Sequence, residues 1–254
     1  VANWSSNVMV KLLLAGTGLI GHRHMQHILE HPDLELIGII DPLITEEKIK
    51  GVKTYNSLSD INTVADGIIL ATPTDTHADL TIQSLKMGMH VLVEKPVAAS
   101  LQEADKMINA SEKTGLSILV GHHRRHHPLV NETINILNSG KIGRPVAASL
   151  MWLMRKQDGY FDVDWRKGID GGPVKQNLIH DVDTLRAFFG EIISVVGSGT
   201  NIIRNAKRHE NGGVVLGFDT GMLATITFSD ATPTPWGFEA CLLYTSDAAD
   251  DSLR

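Results

Sequence analysis

Cysteine is nearly absent: Cys241 is the only one in 254 residues, so neither a disulfide framework nor a cysteine-based metal cluster can form within one chain. A basic excess is also lacking. The net charge is -6, which removes the attraction that would draw nucleic acid or an anionic membrane as partner. Long apolar runs are missing too: "VMVKLLLAG" is broken by Lys11 and runs into glycines, too short to cross a bilayer and suited to a strand. No internal repeat, low-complexity tract or linker is visible. What is present is 43% hydrophobic and 20% charged residues, ordinary for a soluble globular protein and expected in the cytoplasm. The length suits two domains of roughly 100 to 200 residues each.

From Met9 to about Gly121, short runs rich in Val, Ile and Leu ("VMVKLLLA", "LELIGIID", "DGIILAT", "HVLVEK", "LSILVG") alternate with helix-length segments at 20–31, 45–50, 76–88 and 100–114. Apolar strands covered on both faces and joined by helices predict an α/β fold with a doubly wound parallel sheet. Ser100 with Glu103 makes a capping box, and Gly115 a helix stop. After Gly121 the pattern changes. A helix is expected over 126–139, a strand in "RPVAASLMWLM", a helix over 172–189, and then alternating runs separated by Gly and Asp. These predict an α+β domain on an open, mainly antiparallel sheet. The expected division is 9–121, 122–240 and a tail, 241–254, whose "CLLYTSDAADDSLR" matches no element and suggests truncation or a shifted reading frame.

"AGTGLIG" follows the first strand directly and places Gly16, Gly18 and Gly21 in GxGxxG spacing, with Leu19 and Ile20 between them. Small residues there permit a tight turn, a close approach of backbone amides to a pyrophosphate, and close helix packing. Asp41 ends the second strand about 20 residues past the last glycine, where an acid accepts hydrogen bonds from a ribose and repels a 2′-phosphate. NAD is therefore the expected cofactor, ahead of NADP.

Ligands of such sheets collect beyond the carboxyl ends of the strands. "ATPTDTH", with Thr72, Pro73 and His77, and "EKP", with Glu94 and Lys95, both lie there. Pro96 restrains Lys95, which would project toward the reactive end of the cofactor. The alternative is a solvated lysine at a strand terminus.

"AGTGLIG", "ATPTDTHADL", "VLVEKPVAAS" and "GGPVKQNLIHDVDTLRAFFG", in this order, resemble the Gfo/Idh/MocA oxidoreductase family over roughly residues 9–238. The resemblance implies a Rossmann domain followed by an α/β domain whose open sheet supports oligomer contacts, a dimer or tetramer. It also implies NAD(P)-dependent redox chemistry on sugars, polyols or related hydroxy compounds. It assigns Lys95 to the catalytic lysine beside substrate and nicotinamide, and His180 to the acid/base. From the residues alone, Asn177, His180, Asp181 and Thr184 share one helical face, a polar stripe that a substrate would partner. A structural histidine is the alternative there.

One departure stands out. Many dehydrogenases of the family carry an aspartate four residues before that histidine, and this chain has Gln176, which cannot exchange a proton. Arg124 and Arg125 are candidate substrate contacts, against a salt bridge to the neighbouring domain. The histidines of "GHHRRHHP" lack a zinc-site frame, so no metal is expected. His22, His24 and His27 read as a solvated helix face, with one of them a possible neighbour of the phosphates, and "YFDVDWR" resembles a family loop over the pocket. Two rival functions stay open: an enzyme using NAD without net redox, of the epimerase or glycosidase type, and a non-catalytic NAD-binding protein.

Overall fold

The computed structural model describes residues 9–162, 166, 168, 171–233 and 238–245. The chain forms two compact units, Val1–Gly121 and His122–Arg254.

In the first unit, β1 (Val10–Ala15), β2 (Leu34–Ile40), β3 (Lys48–Ile49), β4 (Val52–Tyr55), β5 (Gly67–Leu70), β6 (His90–Val93) and β7 (Ile118–Val120) form one sheet in the order β3-β4-β2-β1-β5-β6-β7. All pairs are parallel except β3 with β4. Every residue of β5 is buried, as a central strand covered on both faces requires. Helix α1 (Leu19–Glu30) sets Met25 and Ile28 against Leu14 and Ile39. The opposite face buries Leu85 of α2 (His77–Lys86) and Met107 of α3 (Leu101–Thr114) against Leu13, Ile68 and Leu70. The sheet is thus doubly wound. Ser100 Oγ caps α3 by accepting from Glu103 N at 3.2 Å, while the Glu103 carboxylate accepts from Ala99 N at 3.0 Å.

The helix expected over 45–50 is absent. Lys50 (φ 50) and Gly51 (φ 84) both take left-handed conformations and close a two-residue hairpin between β3 and β4. Six residues cannot fill two helical turns, and the paired positive φ values match the twist of a hairpin.

The second unit has a five-stranded sheet, β12-β8-β11-β10-β9, built from β8 (Pro145–Leu153), β9 (Ile192–Thr200), β10 (Asn211–Phe218), β11 (Leu223–Ser229) and β12 (Phe238–Thr245). It is antiparallel apart from the β8–β11 pair. The alternation in β11 turns Ala224, Ile226 and Phe228 inward. They join Leu216, Phe218, Leu150 and Trp152, and the helical residues Leu178, Leu185 and Phe189. A further helix, α4 (Pro128–Asn138), starts on Pro128, with His127 Nδ1 accepting from Leu129 N as its cap.

Two expectations need correcting. The helix expected over 172–189 is not one regular element, because Val174–Leu178 form a π turn, with Ile179 N donating to Val174 O, before α5 (Ile179–Phe189) begins. Nor is all of 241–254 without structure: Cys241–Thr245 belong to β12 and pair antiparallel with β8, Cys241 opposite Leu150. Five residues are too few to display an alternation, and the backbone of β8 supplies their register. Residues 246–254 lie outside the described residues.

Candidate functional site

The glycine loop is built as its spacing predicts. Gly16 has φ +90, and a Cβ there would lie 2.4 Å from Ala71 O, while one on Gly21 would lie 2.0 Å from Gly16 O. Neither position admits a side chain. Gly18, the N-cap of α1, is different, since a Cβ there would meet nothing within 4 Å. Its surface is open, and the first turn of α1 carries no acid, so its free amides and positive dipole end face a space suited to a diphosphate. Leu19 and Ile20 are exposed on this turn.

Asp41 stands beside the loop. Its Oδ2 accepts from Thr17 N (2.9 Å) and Thr17 Oγ1 (2.6 Å), and its Oδ1 from Leu43 N (3.0 Å). Burial alone would raise its pKa; the Thr17 and Leu43 donors outweigh burial and hold it below the usual carboxylate value. An ionised, oriented carboxylate next to an open glycine cradle fits the ribose and diphosphate of a dinucleotide.

The two other strand-end loops are tied together. His77 is 1% exposed; its Nδ1 lies 2.9 Å from Pro96 O and its Nε2 2.9 Å from Thr72 O. Expected at the cofactor, it stands with its two ring nitrogens facing backbone carbonyls of the loops after β5 and β6, and so joins those loops. Thr76 Oγ1 reaches Thr72 Oγ1 and Pro73 O, each at 2.7 Å, which fixes the first loop.

Glu94 has a partner that the sequence did not reveal. His24 Nε2, one turn into α1, lies 2.9 Å from Glu94 Oε1, and Lys95 N donates to Glu94 Oε2 at 3.3 Å. Gly121 leaves room for this carboxylate, since a Cβ there would come within 3.0 Å of it. Burial would raise the Glu94 pKa, but His24 and Lys95 prevail and lower it. Lys95 follows across a cis peptide bond to Pro96. Burial depresses its pKa, and the neighbouring Glu94 opposes that shift.

In the second unit His180 is 7% exposed at the start of α5, with Asp181 and Asp183 buried beside it. Arg124 and Arg125, expected at a substrate, are both paired with this helix. Arg124 Nη1 donates to Asp181 Oδ1 at 2.7 Å, and Arg125 grips Asp183 through Nε (2.7 Å) and Nη2 (2.8 Å). The bonds to Asp183 outweigh partial burial and raise the Arg125 pKa. These pairs lie within the second unit. His123 and His122 pack edge-on against the His180 ring, at centroid distances of 4.7 and 5.9 Å.

Asn177, within the π turn, accepts from Lys156 Nζ at 2.8 Å, and that ammonium sits 4.3 Å from the Tyr160 ring centroid. Lys156 drew no notice in the sequence, because one lysine after a strand carries no signal. A buried ion cluster at the ends of β10 and β11 was equally invisible. Arg204 and Arg208 both bond the Asp230 carboxylate (2.9 and 2.7 Å), and both lie over the Phe161 ring.

These features match one family. Residues 10–122 match the "Oxidoreductase family, NAD-binding Rossmann fold" and residues 130–247 the "GFO/IDH/MocA C-terminal domain". The chain belongs to the Gfo/Idh/MocA family, whose N-terminal domain binds NAD and whose named members here are dehydrogenases and reductases. It is similar to scyllo-inositol 2-dehydrogenase (NAD(+)) of Bacillus subtilis, 28% identical over 88% of this chain and 68% of that protein. Inositol 2-dehydrogenase of Rhizobium meliloti is 26% identical over 87% of this chain and 68% of its own length. A structure of the WlbA dehydrogenase from Bordetella pertussis, in complex with NADH and UDP-GlcNAcA, is 25% identical with a TM-score of 0.86, covering 94% of this chain and 77% of that one. Among the described residues no helix is long and apolar enough to cross a membrane.

Proposed function

We propose that this protein transfers a hydride between NAD and a secondary alcohol of a sugar, polyol or related hydroxy compound. The observation that carries the reading is Lys95: a half-buried ammonium at the carboxyl end of β6, held beside Glu94 in an NAD-binding sheet. Bound NAD supplies the hydride acceptor. Asp41 orients the ribose, and the Gly16–Gly21 turn receives the diphosphate. Lys95 donates to the substrate oxygen and lowers the cost of its alkoxide character, an effect of several kcal/mol in a water-poor site. His180 takes the hydroxyl proton. Asn177, steadied by Lys156, offers its amide to a neighbouring hydroxyl. The inositol dehydrogenases among the relatives support a polyol.

The test is a panel of polyols, sugars and sugar acids with NAD, read at 340 nm, on the wild type, Lys95→Ala and His180→Ala. Each substitution should lower turnover by about 10²-fold or more with little change in NAD affinity. Near-normal turnover in both variants refutes the assignment.

Gln176 favours a second reading, in which NAD is used without net redox, as in epimerisation or glycoside cleavage. Product would then form with no NADH at 340 nm. If NAD binds and no compound is converted, the protein is a non-catalytic binder.

The second unit also supports self-association, as a dimer or tetramer. Val196, Val215 and Leu223 stand exposed on one face of its sheet beside Thr225 and Thr227, an apolar strip that a second copy would cover. Val215→Asp should shift the light-scattering mass toward the monomer, and a wild type that is already monomeric ends this part of the reading.

A further inference from the structure

The proton that reaches His180 has to leave again. Resting on the reading of His180 as the base, the balance of one turnover is simple: the hydride goes to NAD, the hydroxyl proton goes to a ring nitrogen of His180, and that proton must pass to water before the next cycle. His180 is 7% exposed, so bulk water does not reach its ring freely. Gln176, one turn earlier in the chain, carries an amide that holds no exchangeable acid proton in the neutral range. Asp181 and Asp183 are held by Arg124 and Arg125 at 2.7 Å.

Among the described residues, two imidazoles pack edge-on against the His180 ring. His122 is the farther, at 5.9 Å, is partly buried, and has its Nδ1 3.9 Å from Asp183 Oδ2. His123 is the nearer, at 4.7 Å with the rings 62° apart, and it is exposed to solvent. An imidazole is the side chain whose ordinary pKa lets it take and release a proton near neutrality. One imidazole that meets the buried ring on one side and water on the other has the placement of a shuttle.

We propose that His123 relays protons between His180 and bulk solvent, directly or across one water. It acts through His180 without touching substrate, and is a positioning residue in that sense. Among the described residues, the charged and titratable groups facing this pair include His122, the Arg124–Asp181 pair and the Arg125–Asp183 pair.

The first measurement needs no substrate. In protein with ¹⁵N-labelled histidine, exchange of the His180 ring proton with water is followed by NMR from pH 5 to 9 in the wild type, His123→Asn and His123→Gln, with His180→Asn to assign the signal. Both His123 variants should slow that exchange by about tenfold or more with the backbone spectrum otherwise retained. Unchanged exchange in both folded variants overturns the relay. The second measurement uses whichever compound of the panel reduces NAD: the His123 variants should lose about tenfold in turnover and recover it as free imidazole is added, whereas the wild type should ignore imidazole. A loss that imidazole does not restore marks a merely structural role and rejects the proposal. The hydride reading fails separately, if no compound reduces NAD, and the NMR measurement still decides the relay in that event.

Discussion

Replacing Asp41 by alanine tests the coenzyme assignment most directly. In the wild type the carboxylate is anchored by three donors from Thr17 and Leu43, so its charge is fixed at the end of β2. A carboxylate that accepts two ribose hydroxyl hydrogen bonds contributes about 1.5 to 3 kcal/mol for each. Part of that is offset when water takes its place. Loss of about 2 kcal/mol corresponds to roughly 30-fold weaker NAD binding. The same charge acts against NADP. At about 5 Å and an effective dielectric of about 20, one unit of like charge costs roughly 3 kcal/mol, and partial exposure and salt reduce this to about 1 to 2 kcal/mol. Asp41→Ala should therefore weaken NAD by about 30-fold and strengthen NADP by about 5- to 30-fold, so that the preference narrows or inverts. Isothermal titration of both nucleotides against the wild type and Asp41→Ala, at one stated ionic strength, measures it without a substrate. Tighter binding of NADP than NAD to the unaltered protein, or an unchanged ratio in the variant, would refute the reasoning.

Three further outcomes follow from the ion pairs. Asp41 and Glu94 both titrate below ordinary carboxyl values in the folded protein. Their stabilisation is therefore complete above the unfolded value of about 4 and is lost as the pH falls through the lower folded values. Glu94→Gln should make the melting temperature of the first unit less sensitive to acid between about pH 5 and 3, and an unchanged slope would contradict the His24 pairing. Arg208→Met leaves the buried Asp230 with Arg204 as its remaining guanidinium partner among the bonds described. A loss of about 2 to 4 kcal/mol in urea unfolding is expected; no measurable loss would mean that the cluster is dispensable. Arg125→Leu uncovers the carboxylate of Asp183, beside His180. A buried carboxylate left without its bidentate guanidinium should cost about 1 to 3 kcal/mol in urea unfolding, and no measurable loss would show that the pair is dispensable.

The parts of this fold legible in sequence are those written in repeated local chemistry. Strands β1, β2, β5, β6 and β7 were readable because parallel strands buried on both faces need unbroken apolar runs, and "GIIL" at 67–70 is one. The glycine turn was readable because sterics alone demand it: Gly16 and Gly21 have backbone where a Cβ would stand. By contrast the β3–β4 hairpin rests on the conformation of two residues, Lys50 and Gly51, within a stretch whose charges suit a helix equally well. The π turn at Val174–Leu178 has no pattern of its own, since a single extra residue in a turn leaves apolar spacing nearly unchanged. Most of the candidate site was named from motifs, but its wiring was not. His24 and Glu94 stand 70 residues apart in sequence, and nothing local to either predicts the other.

Helix α5 shows why that wiring matters more than the motif. Three of four consecutive positions, His180, Asp181 and Asp183, are polar and buried in it, and a helix that buries two carboxylates would ordinarily be destabilised by their desolvation. The turn at His123–His126 precedes α5 by more than fifty residues and delivers both compensating arginines together with the imidazole that meets His180. One short segment therefore does two things at once. It neutralises the acids, so that the field at His180 is not dominated by negative charge, and it brings a second titrating ring to the same spot. A lone buried histidine would have satisfied the motif equally well, but only the surrounding pairs give it a defined charge balance and a route to solvent.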